Sequence, residues 1–160
     1  MQRPDSSLPP SGSQALRVSN DVVLARRIVR TLAQQAGLSL LDQTKIVTAA
    51  SELARNTVTH GGGGILVWQL LAEDSKRGVR LTFRDQGPGI KNVALALRDG
   101  WTSARGLGLG LPGARRLTDE FELVSSVGVG TQVTVTKWYR RSYSRSGRRT
   151  NIALHTDPKS

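Results

Sequence analysis

The 160-residue sequence contains no cysteine and only two histidines, His60 and His155. Without thiols the chain can form neither disulfides nor thiolate metal sites, and nothing in it requires an oxidising compartment. Two histidines also give little support to a zinc site or to a hydrolytic triad. These absences argue against a disulfide-bonded secreted protein and against a zinc or triad hydrolase.

Long hydrophobic segments are missing as well. The longest apolar run, Ile65 to Ala72, is too short to cross a bilayer and is interrupted by Gln69. The N-terminus lacks the apolar centre of a signal peptide, and its residues 1–13, with three prolines and a glycine, are predicted to be disordered. We therefore expect a cytoplasmic protein of one domain that does not bind membranes.

Positive charge is concentrated at the C-terminal end of the chain. The net charge is +11, and residues 137–160 contain seven basic residues and one acidic residue, a net of +6. Residues 140–160 are therefore predicted to be a disordered basic tail. Arginines interleaved with Tyr139 and Tyr143 also suit nucleic-acid binding through phosphate contacts and base stacking, which is the less favoured interpretation. A third interpretation, docking of an acidic partner protein, is favoured less than disorder and more than nucleic-acid binding.

Hydrophobic periodicity predicts nine helices and strands between residues 14 and 139. In chain order they are a strand over 14–19, helices over 20–37 and 42–58, strands over 65–72 and 79–84, short helices over 93–98 and 111–118, and strands over 121–126 and 132–138. Asn20 is expected to cap the first helix and Gly37 to end it. Because strands follow one another in pairs, we predict an α+β fold: a two-layer sandwich whose mixed, mostly antiparallel sheet has helices on one face.

The second predicted helix carries a carboxylate and a carboxamide four residues apart, Glu52 and Asn56, which therefore share one face. The Asn56 oxygen suits Mg²⁺, which prefers hard oxygen ligands and shares them with phosphates and water. Glu52, one turn earlier, could orient or deprotonate a nucleophile beside that metal. The alternative is a pair of solvated polar side chains. The glycine run 61–64 that follows is predicted to be a flexible joint.

The strand over 79–84 ends in the sequence RDQGPGI. A carboxylate accepts hydrogen bonds but donates none, so Asp85 could pair with the exocyclic amine of adenine and would be repelled by the carbonyl of guanine. Gly87 and Gly89 would let a purine ring approach the backbone, and Pro88 would stiffen the turn between them. An ordinary strand-to-loop turn is the alternative interpretation.

A glycine ladder, RGLGLGLPG over residues 105–113, leads into the helix over 111–118. Its glycines leave main-chain amides free to point at phosphate oxygens, and the start of a helix adds partial positive charge. The spacing of Gly108, Gly110 and Gly113 also fits the dinucleotide fingerprint, but no βαβ unit surrounds it. The Walker P-loop and the motifs of ordinary protein kinases are absent. The ladder thus predicts a different kind of phosphate loop.

In this order and spacing, these elements resemble the GHKL ATPase and kinase superfamily, which has the Bergerat nucleotide-binding fold. Residues 52–56 match its N box, residues 85–89 its G1 box, and residues 106–110 its G2 box, while Gly128-x-Gly130-Thr131 matches its final glycine-threonine element. The segments SELARN, DQGPGI and GVGTQVTVTKW are similar to the RsbT-type serine/threonine kinases of bacterial anti-sigma switch modules. The likeness covers about residues 15 to 139. We therefore predict an ATP-binding kinase domain over residues 14–139, between the disordered N-terminus and the basic tail.

The resemblance implies roles for individual residues. Asn56 would hold Mg²⁺, Glu52 would be the general base, and Asp85 would bind the adenine amine, with Thr131 supporting that contact through water. Residues 91–105 would form a lid over the phosphates. The implied nucleotide-binding residues are Asn56, Asp85, Gly87, Gly89, Arg105, Gly106, Leu107, Gly108, Leu109, Gly110 and Thr131.

The resemblance also implies an activity. The chain would be an ATP- and Mg²⁺-dependent serine/threonine protein kinase of a partner-switching module, acting on a Ser or Thr of a STAS-domain antagonist protein. A PP2C-type phosphatase or a sigma factor would be a further partner. Two alternatives stay open: a non-catalytic ATP-binding protein that sequesters a sigma factor or activates a phosphatase, and a protein that binds nucleic acid through its basic tail.

Overall fold

A five-stranded antiparallel sheet carries the fold within residues 7–98 and 110–141, the part of the chain that the computed structural model describes. The elements in those ranges are β1 (Ser11–Leu16), α1 (Ser19–Gln35), α2 (Leu40–Thr59), β2 (Gly64–Glu73), β3 (Lys76–Asp85), α3 (Val93–Ala96), α4 (Gly110–Arg116), β4 (Glu120–Ser126) and β5 (Gly130–Trp138). The strand order is β1-β2-β3-β5-β4, and all four neighbouring pairs are antiparallel. The predicted α+β class and order of elements are confirmed.

The core lies between one face of the sheet and the two long helices, because apolar residues recur with period two on the strands and about 3.6 on the helices. The sheet contributes Leu66, Leu81, Phe83, Val133 and Val135 to this core; the helices contribute Val22, Val29, Leu32, Ile46 and Leu53. This packing holds α2 across the sheet, so that its C-terminal end lies near the end of β3.

The first strand begins earlier than the sequence predicts. Ser11 to Ser13, assigned above to a disordered N-terminus, pair with β2, and that part of the prediction is wrong. Gly12 packs so closely against the Trp68 ring that a Cβ there would collide with it, and the indole N–H donates to the Pro9 carbonyl at 3.1 Å. This edge strand is held by backbone pairing and by contact with one aromatic ring. Neither contact requires a hydrophobic pattern within the strand, so the sequence does not reveal it.

The first helix begins at Ser19, and its N-cap residue is Val18. The prediction that Asn20 caps this helix is wrong. The Asp21 carboxylate accepts hydrogen bonds from the main-chain N–H groups of Arg17 at 2.8 Å and Val18 at 3.1 Å. These two bonds hold the pKa of Asp21 below its ordinary value, and the Arg17 charge adds to them. A carboxylate in the first turn therefore sets the start of α1 in place of a capping side chain.

The turn between α1 and α2 contains Gly37, which the sequence predicts to end the first helix. Gly37 adopts a φ of +75°, which favours glycine, and it follows the C-cap residue Ala36. The next helix begins two residues before the predicted Asp42, because the Ser39 hydroxyl accepts the Asp42 N–H at 3.2 Å and caps it.

A buried ionic cluster lies where β5 meets the start of α2. The Lys137 ammonium group, with a side chain only 5% exposed, lies 3.5 Å from Asp42 and 3.2 Å from Asp119. Asp119 also pairs with Arg140 at 2.6 Å, so the first residue of the predicted tail is held by the domain. Residues 142–160 of that tail lie outside the described residues. In the part of the chain that is described, no helix is long and apolar enough to cross a membrane.

Candidate functional site

Asp85 and the C-terminal end of α2, which carries Asn56, lie at one end of the sandwich. β3 ends at Asp85 and β5 begins at Gly130, while α2 ends nearby at Thr59. Gly64, which opens β2, is the register partner of Asp85, so the turn after α2 also lies at this end. Segments far apart in sequence thus meet around the Asp85 side chain.

Asp85 uses its two carboxylate oxygens differently. Oδ1 accepts main-chain N–H bonds from Gly87 at 2.9 Å and from Thr131 at 3.2 Å. Oδ2 accepts no hydrogen bond from the described residues, and Asp85 is only partly buried. The carboxylate is therefore held in place while one oxygen stays available to a hydrogen-bond donor from a ligand.

Thr131 contacts Asp85 directly through its main chain. Its hydroxyl lies 2.8 Å from the Ser125 Oγ, which also accepts the Ile90 N–H at 2.8 Å. Sequence reasoning did not identify Ser125, although Ser125 and Thr131 are register partners on β4 and β5. Ser125 thus links the loop after Asp85 to the start of β5, and it helps to fix the Thr131 amide.

The glycines after Asp85 make room for the protein's own backbone. A Cβ on Gly87 would lie 2.8 Å from the Cα and the carbonyl oxygen of Gly61. Gly89 has a φ of +75° and packs against the Ser126 carbonyl. These contacts explain why both positions lack a side chain, independently of any approach by a purine ring.

Gly61 is a site residue that the sequence analysis missed. It was predicted to belong to a flexible joint, but its N–H donates to the Asn56 carbonyl at 3.1 Å. A Cβ at this position would lie 2.5 Å from Cγ and 2.6 Å from Oδ2 of Asp85. Gly61 is therefore packed in place, whereas a Cβ on the next residue, Gly62, would meet nothing within 4 Å. A run of four glycines does not reveal which of them is packed.

Glu52 and Asn56 lie one turn apart on α2, as predicted. The Glu52 side chain is 13% exposed, and its Oε1 pairs with Arg55 at 3.2 Å, which leaves the other oxygen without a protein partner among the described residues. The Asn56 side-chain amide makes no hydrogen bond within those residues either. Both side chains thus offer oxygens to a ligand at the end of α2.

The donor set around Asn56 suits a cation that brings most of its own ligands. No group of three or more histidine, cysteine, aspartate or glutamate side chains capable of holding a metal occurs in the ranges 7–98 and 110–141. A neutral amide oxygen with room for phosphate and water is the kind of protein ligand that Mg²⁺ accepts. The residues present therefore fit a magnesium-nucleotide complex better than a permanent metal centre.

Of the predicted phosphate loop, residues 106–110, the structure describes Gly110. Gly110 begins α4 with a φ of +61°. Arg105, Gly106, Leu107, Gly108 and Leu109 lie outside the described residues. In the predicted lid, α3 forms after Asn92, whose side chain accepts the Leu95 N–H at 3.0 Å; the lid beyond residue 98 is also outside the description.

Comparison with known proteins gives consistent matches. The family model described as "Histidine kinase-like ATPase domain" matches residues 17–137. The chain is 42% identical over 120 residues to the serine/threonine-protein kinase RsbT of Bacillus subtilis, covering 75% of this chain and 90% of that protein. It is 30% identical over 132 residues to an anti-sigma F factor of Bacillus cytotoxicus, covering 78% of this chain and 89% of that protein.

A solved structure supports the fold. The RsbU and RsbW domains of a Mycobacterium tuberculosis protein match with a TM-score of 0.60 at 22% identity, covering 84% of this chain and 34% of that chain. At this level of identity the match shows a shared architecture. It agrees with the two-layer arrangement described above.

Proposed function

The chain belongs to the histidine kinase-like ATPase domain family, and from this we propose that it is an ATP-dependent serine/threonine protein kinase of a partner-switching module. The observation that carries the proposal is that Gly61, bonded to the main chain of Asn56 at the end of α2, packs against the Asp85 carboxylate, with Glu52 one helical turn before Asn56. Identity of 42% to a serine/threonine-protein kinase over most of the chain supports the same activity.

Asp85 is the residue that would recognise the base. Because its Oδ1 is held by two main-chain N–H groups, its Oδ2 keeps a fixed position. The exocyclic amine of adenine donates a hydrogen bond, whereas the carbonyl of guanine presents an acceptor that a carboxylate repels. Asp85 therefore selects adenine nucleotides.

Asn56 would hold Mg²⁺ through its side-chain oxygen, and the bound ion would neutralise charge on the phosphates. Arg105 and residues 106–110 are proposed to wrap those phosphates, as the family resemblance implies. Thr131 supports the base-binding end by fixing Asp85. Together these residues would bind the base and the phosphates of one nucleotide.

Glu52 is the proposed general base. The acceptor hydroxyl attacks the γ-phosphorus, the bond between that phosphorus and the β–γ bridging oxygen breaks, and ADP leaves. The hydroxyl proton passes to the free oxygen of Glu52, while Arg55 holds the other one. Because phosphoryl transfer has a loose transition state, alignment and charge neutralisation supply most of the rate.

The proposed acceptor is a serine or threonine of a STAS-domain antagonist protein. A phosphate on that residue adds about two negative charges and would disrupt the interface in which it lies. A PP2C-type phosphatase or a sigma factor is the proposed second partner, which the kinase binds when the antagonist is released. The names of the RsbT and anti-sigma F relatives support such a module.

Phosphorylation with labelled ATP tests the activity. Purified full-length protein, Mg²⁺ and candidate STAS proteins from the same organism are expected to give label on serine or threonine. Glu52→Ala should abolish this transfer and leave ATP binding intact, because the proposed contact with the base is made by Asp85 and the proposed role of Glu52 is only to accept the hydroxyl proton. Unchanged phosphorylation by Glu52→Ala would refute the assigned role.

A second candidate is a non-catalytic ATP-binding protein that sequesters a sigma factor; the name of the anti-sigma F relatives favours the sigma-factor partner. This candidate predicts ATP binding without transfer to any STAS protein, together with ATP-dependent capture of a purified sigma factor. The free Glu52 oxygen favours the kinase. Label on a STAS protein that is lost in Glu52→Ala would decide between the two.

A further inference from the structure

Gly61 lies against the Asp85 carboxylate at the end of α2 without forming a hydrogen bond to it. A Cβ at residue 61 would lie 2.5 Å from the Asp85 Cγ and 2.6 Å from its Cβ and its Oδ2. Side-chain carbons essentially never approach other heavy atoms within 3.0 Å. A side chain at 61 would therefore force either the carboxylate or the end of α2 to move.

The Asp85 carboxylate cannot yield without losing contacts. Its Oδ1 is held by the N–H groups of Gly87 and Thr131, and its main-chain carbonyl packs against Gly130. Rotation of the side chain away from residue 61 would break both hydrogen bonds to Oδ1. The strain from an added side chain would therefore appear at the oxygen that faces the ligand.

Gly61 is also fixed from its other sides. Its N–H donates to the carbonyl of Asn56 at 3.1 Å, and Gly87 packs close enough that a Cβ there would lie 2.8 Å from the Gly61 Cα. A continuous set of contacts thus runs from Asn56 through Gly61 to Asp85. The position of Gly61 relates the helix that carries Asn56 to the strand end that carries Asp85.

We propose that Gly61 is a specificity-determining residue of the nucleotide site, because its missing side chain keeps the Asp85 Oδ2 open to the exocyclic amine of a purine. This inference rests on the proposed binding of ATP. A methyl group on residue 61 would occupy space beside Oδ2, where a donor from the ligand must approach, and would turn the carboxylate out of line. Gly61 acts through Asp85 and is a positioning residue.

The neighbouring glycine provides a matched control. Gly62 lies in the same turn with a φ of +72°, and a Cβ there would meet nothing within 4 Å. Asparagine is among the residues that tolerate this left-handed conformation best, so Gly62→Asn adds a side chain to the turn without touching Asp85. Any general effect of stiffening the glycine run should appear equally in this variant.

The test compares ATP with inosine triphosphate, which carries a carbonyl in place of the exocyclic amine. Calorimetry on the full chain with Mg²⁺ should show that the wild type and Gly62→Asn bind ATP about tenfold more tightly, as expected for a hydrogen bond to a charged group. In Gly61→Ala, the affinity for ATP should fall to about the affinity for inosine triphosphate. The affinity of this variant for inosine triphosphate should differ less from that of the wild type. The preference is the readout, and a merely structural role would not alter it.

Each outcome is decisive. If the wild type binds neither nucleotide, the proposed function fails; if it prefers ATP and Gly61→Ala keeps the same affinity and preference, the role of Gly61 is wrong. Equal loss of both nucleotides in a folded Gly61→Ala would also overturn it, since the effect would not depend on the amine. If circular dichroism shows that Gly61→Ala does not fold, Gly87→Ala is the second variant, because its Cβ would lie 2.8 Å from the Gly61 Cα and would displace Gly61. A retained preference for ATP over inosine triphosphate in Gly87→Ala would count against the proposal.

Discussion

Asp85 shows how a single side chain can serve the fold and a ligand together. Oδ1 joins the loop after β3 to the start of β5, while Oδ2 is left without a partner among the described residues. Asparagine at this position would keep an oxygen for the two main-chain N–H groups and would replace the other oxygen by an amide donor. The two tasks can therefore be separated by one substitution.

Asp85→Asn should leave the fold intact and weaken ATP binding by about tenfold or more, since a donor would face the adenine amine. Binding of inosine triphosphate should fall less or improve, because its carbonyl accepts from the new amide. Isothermal titration with both nucleotides measures this change. Asp74→Asn, in the turn at the opposite end of β3 with a φ of 53°, is the matched control. A normal ATP dissociation constant for Asp85→Asn would count against its contact with the base.

The sequence predicted the relative placement of some candidate site residues and missed that of others, for a physical reason. Glu52 and Asn56 are spaced by one helical turn, so a local pattern places them on one face. Gly61 and Ser125 act through contacts with segments brought near by the fold, and no local spacing encodes such contacts. Residues recognised by chemistry within one element were predictable, whereas residues that work by packing between elements were not.

At the level of single elements, periodicity predicted the helices better than their ends. The buried stripe of α1 was evident from the sequence, but its start was assigned to Asn20 because asparagine is a favoured cap. Asp21 instead captures the N–H groups of Arg17 and Val18 and begins the helix earlier. An accepting side chain three positions inside a helix competes with a cap residue, and propensity alone does not decide between them.

The same carboxylate makes α1 a source of pH-dependent stability. The Arg17 and Val18 N–H groups lower the pKa of Asp21 in the folded protein, so its stabilising contribution is present above the pKa of the unfolded chain, about 3.9. That contribution is lost as the pH falls through the lower folded pKa.

Asp21→Asn should therefore be less stable than the wild type near neutral pH, and the difference should shrink as the pH falls below about 4. Denaturant unfolding at a series of pH values measures it. Asn20→Ala is the control and should cost less than Asp21→Asn, since Asn20 is not the cap. A stability difference that stays constant down to about pH 3 would contradict this role of the Asp21 charge.

For the whole molecule, alternating strands and amphipathic helices determined the order of elements along the chain and the α+β class, both of which the sequence predicted. The sheet was expected to be mixed and mostly antiparallel, whereas all four described strand pairs are antiparallel. The early start of β1 was missed because Ser11 to Ser13 are ordered by pairing with β2, a long-range contact that polar residues do not signal. Lys137 was also unremarkable in the sequence, where it falls at the end of an alternating strand. Its burial depends on Asp42 and Asp119, which come from two distant segments.

The ionic cluster at Lys137 lies at the end of the sandwich opposite Asp85, because Thr131, which bonds Asp85, and Lys137 lie near the two ends of β5, about 20 Å apart along an extended strand. Lys137 pairs with Asp42 in the first turn of α2 and with Asp119 in the turn before β4, and Asp119 also pairs with Arg140. Removing a buried ammonium group while leaving its carboxylates in place is costly, since their charges lose compensation. The cluster should therefore matter for the stability of the molecule and leave its nucleotide site unaffected.

Lys137→Met keeps the side-chain volume and removes the charge. We expect it to lower the free energy of unfolding by about 3 kcal/mol, the lower end for a broken buried ion pair, since Asp119 keeps its contact with Arg140. Chemical denaturation measures this loss, and Lys76→Met, whose ammonium lies 5.7 Å from the centre of the Trp138 ring, provides the control. ATP affinity measured on the folded Lys137→Met protein should match the wild type. A loss no larger than that of Lys76→Met would show that the cluster contributes little, because the carboxylates would then be solvated well enough without their partner.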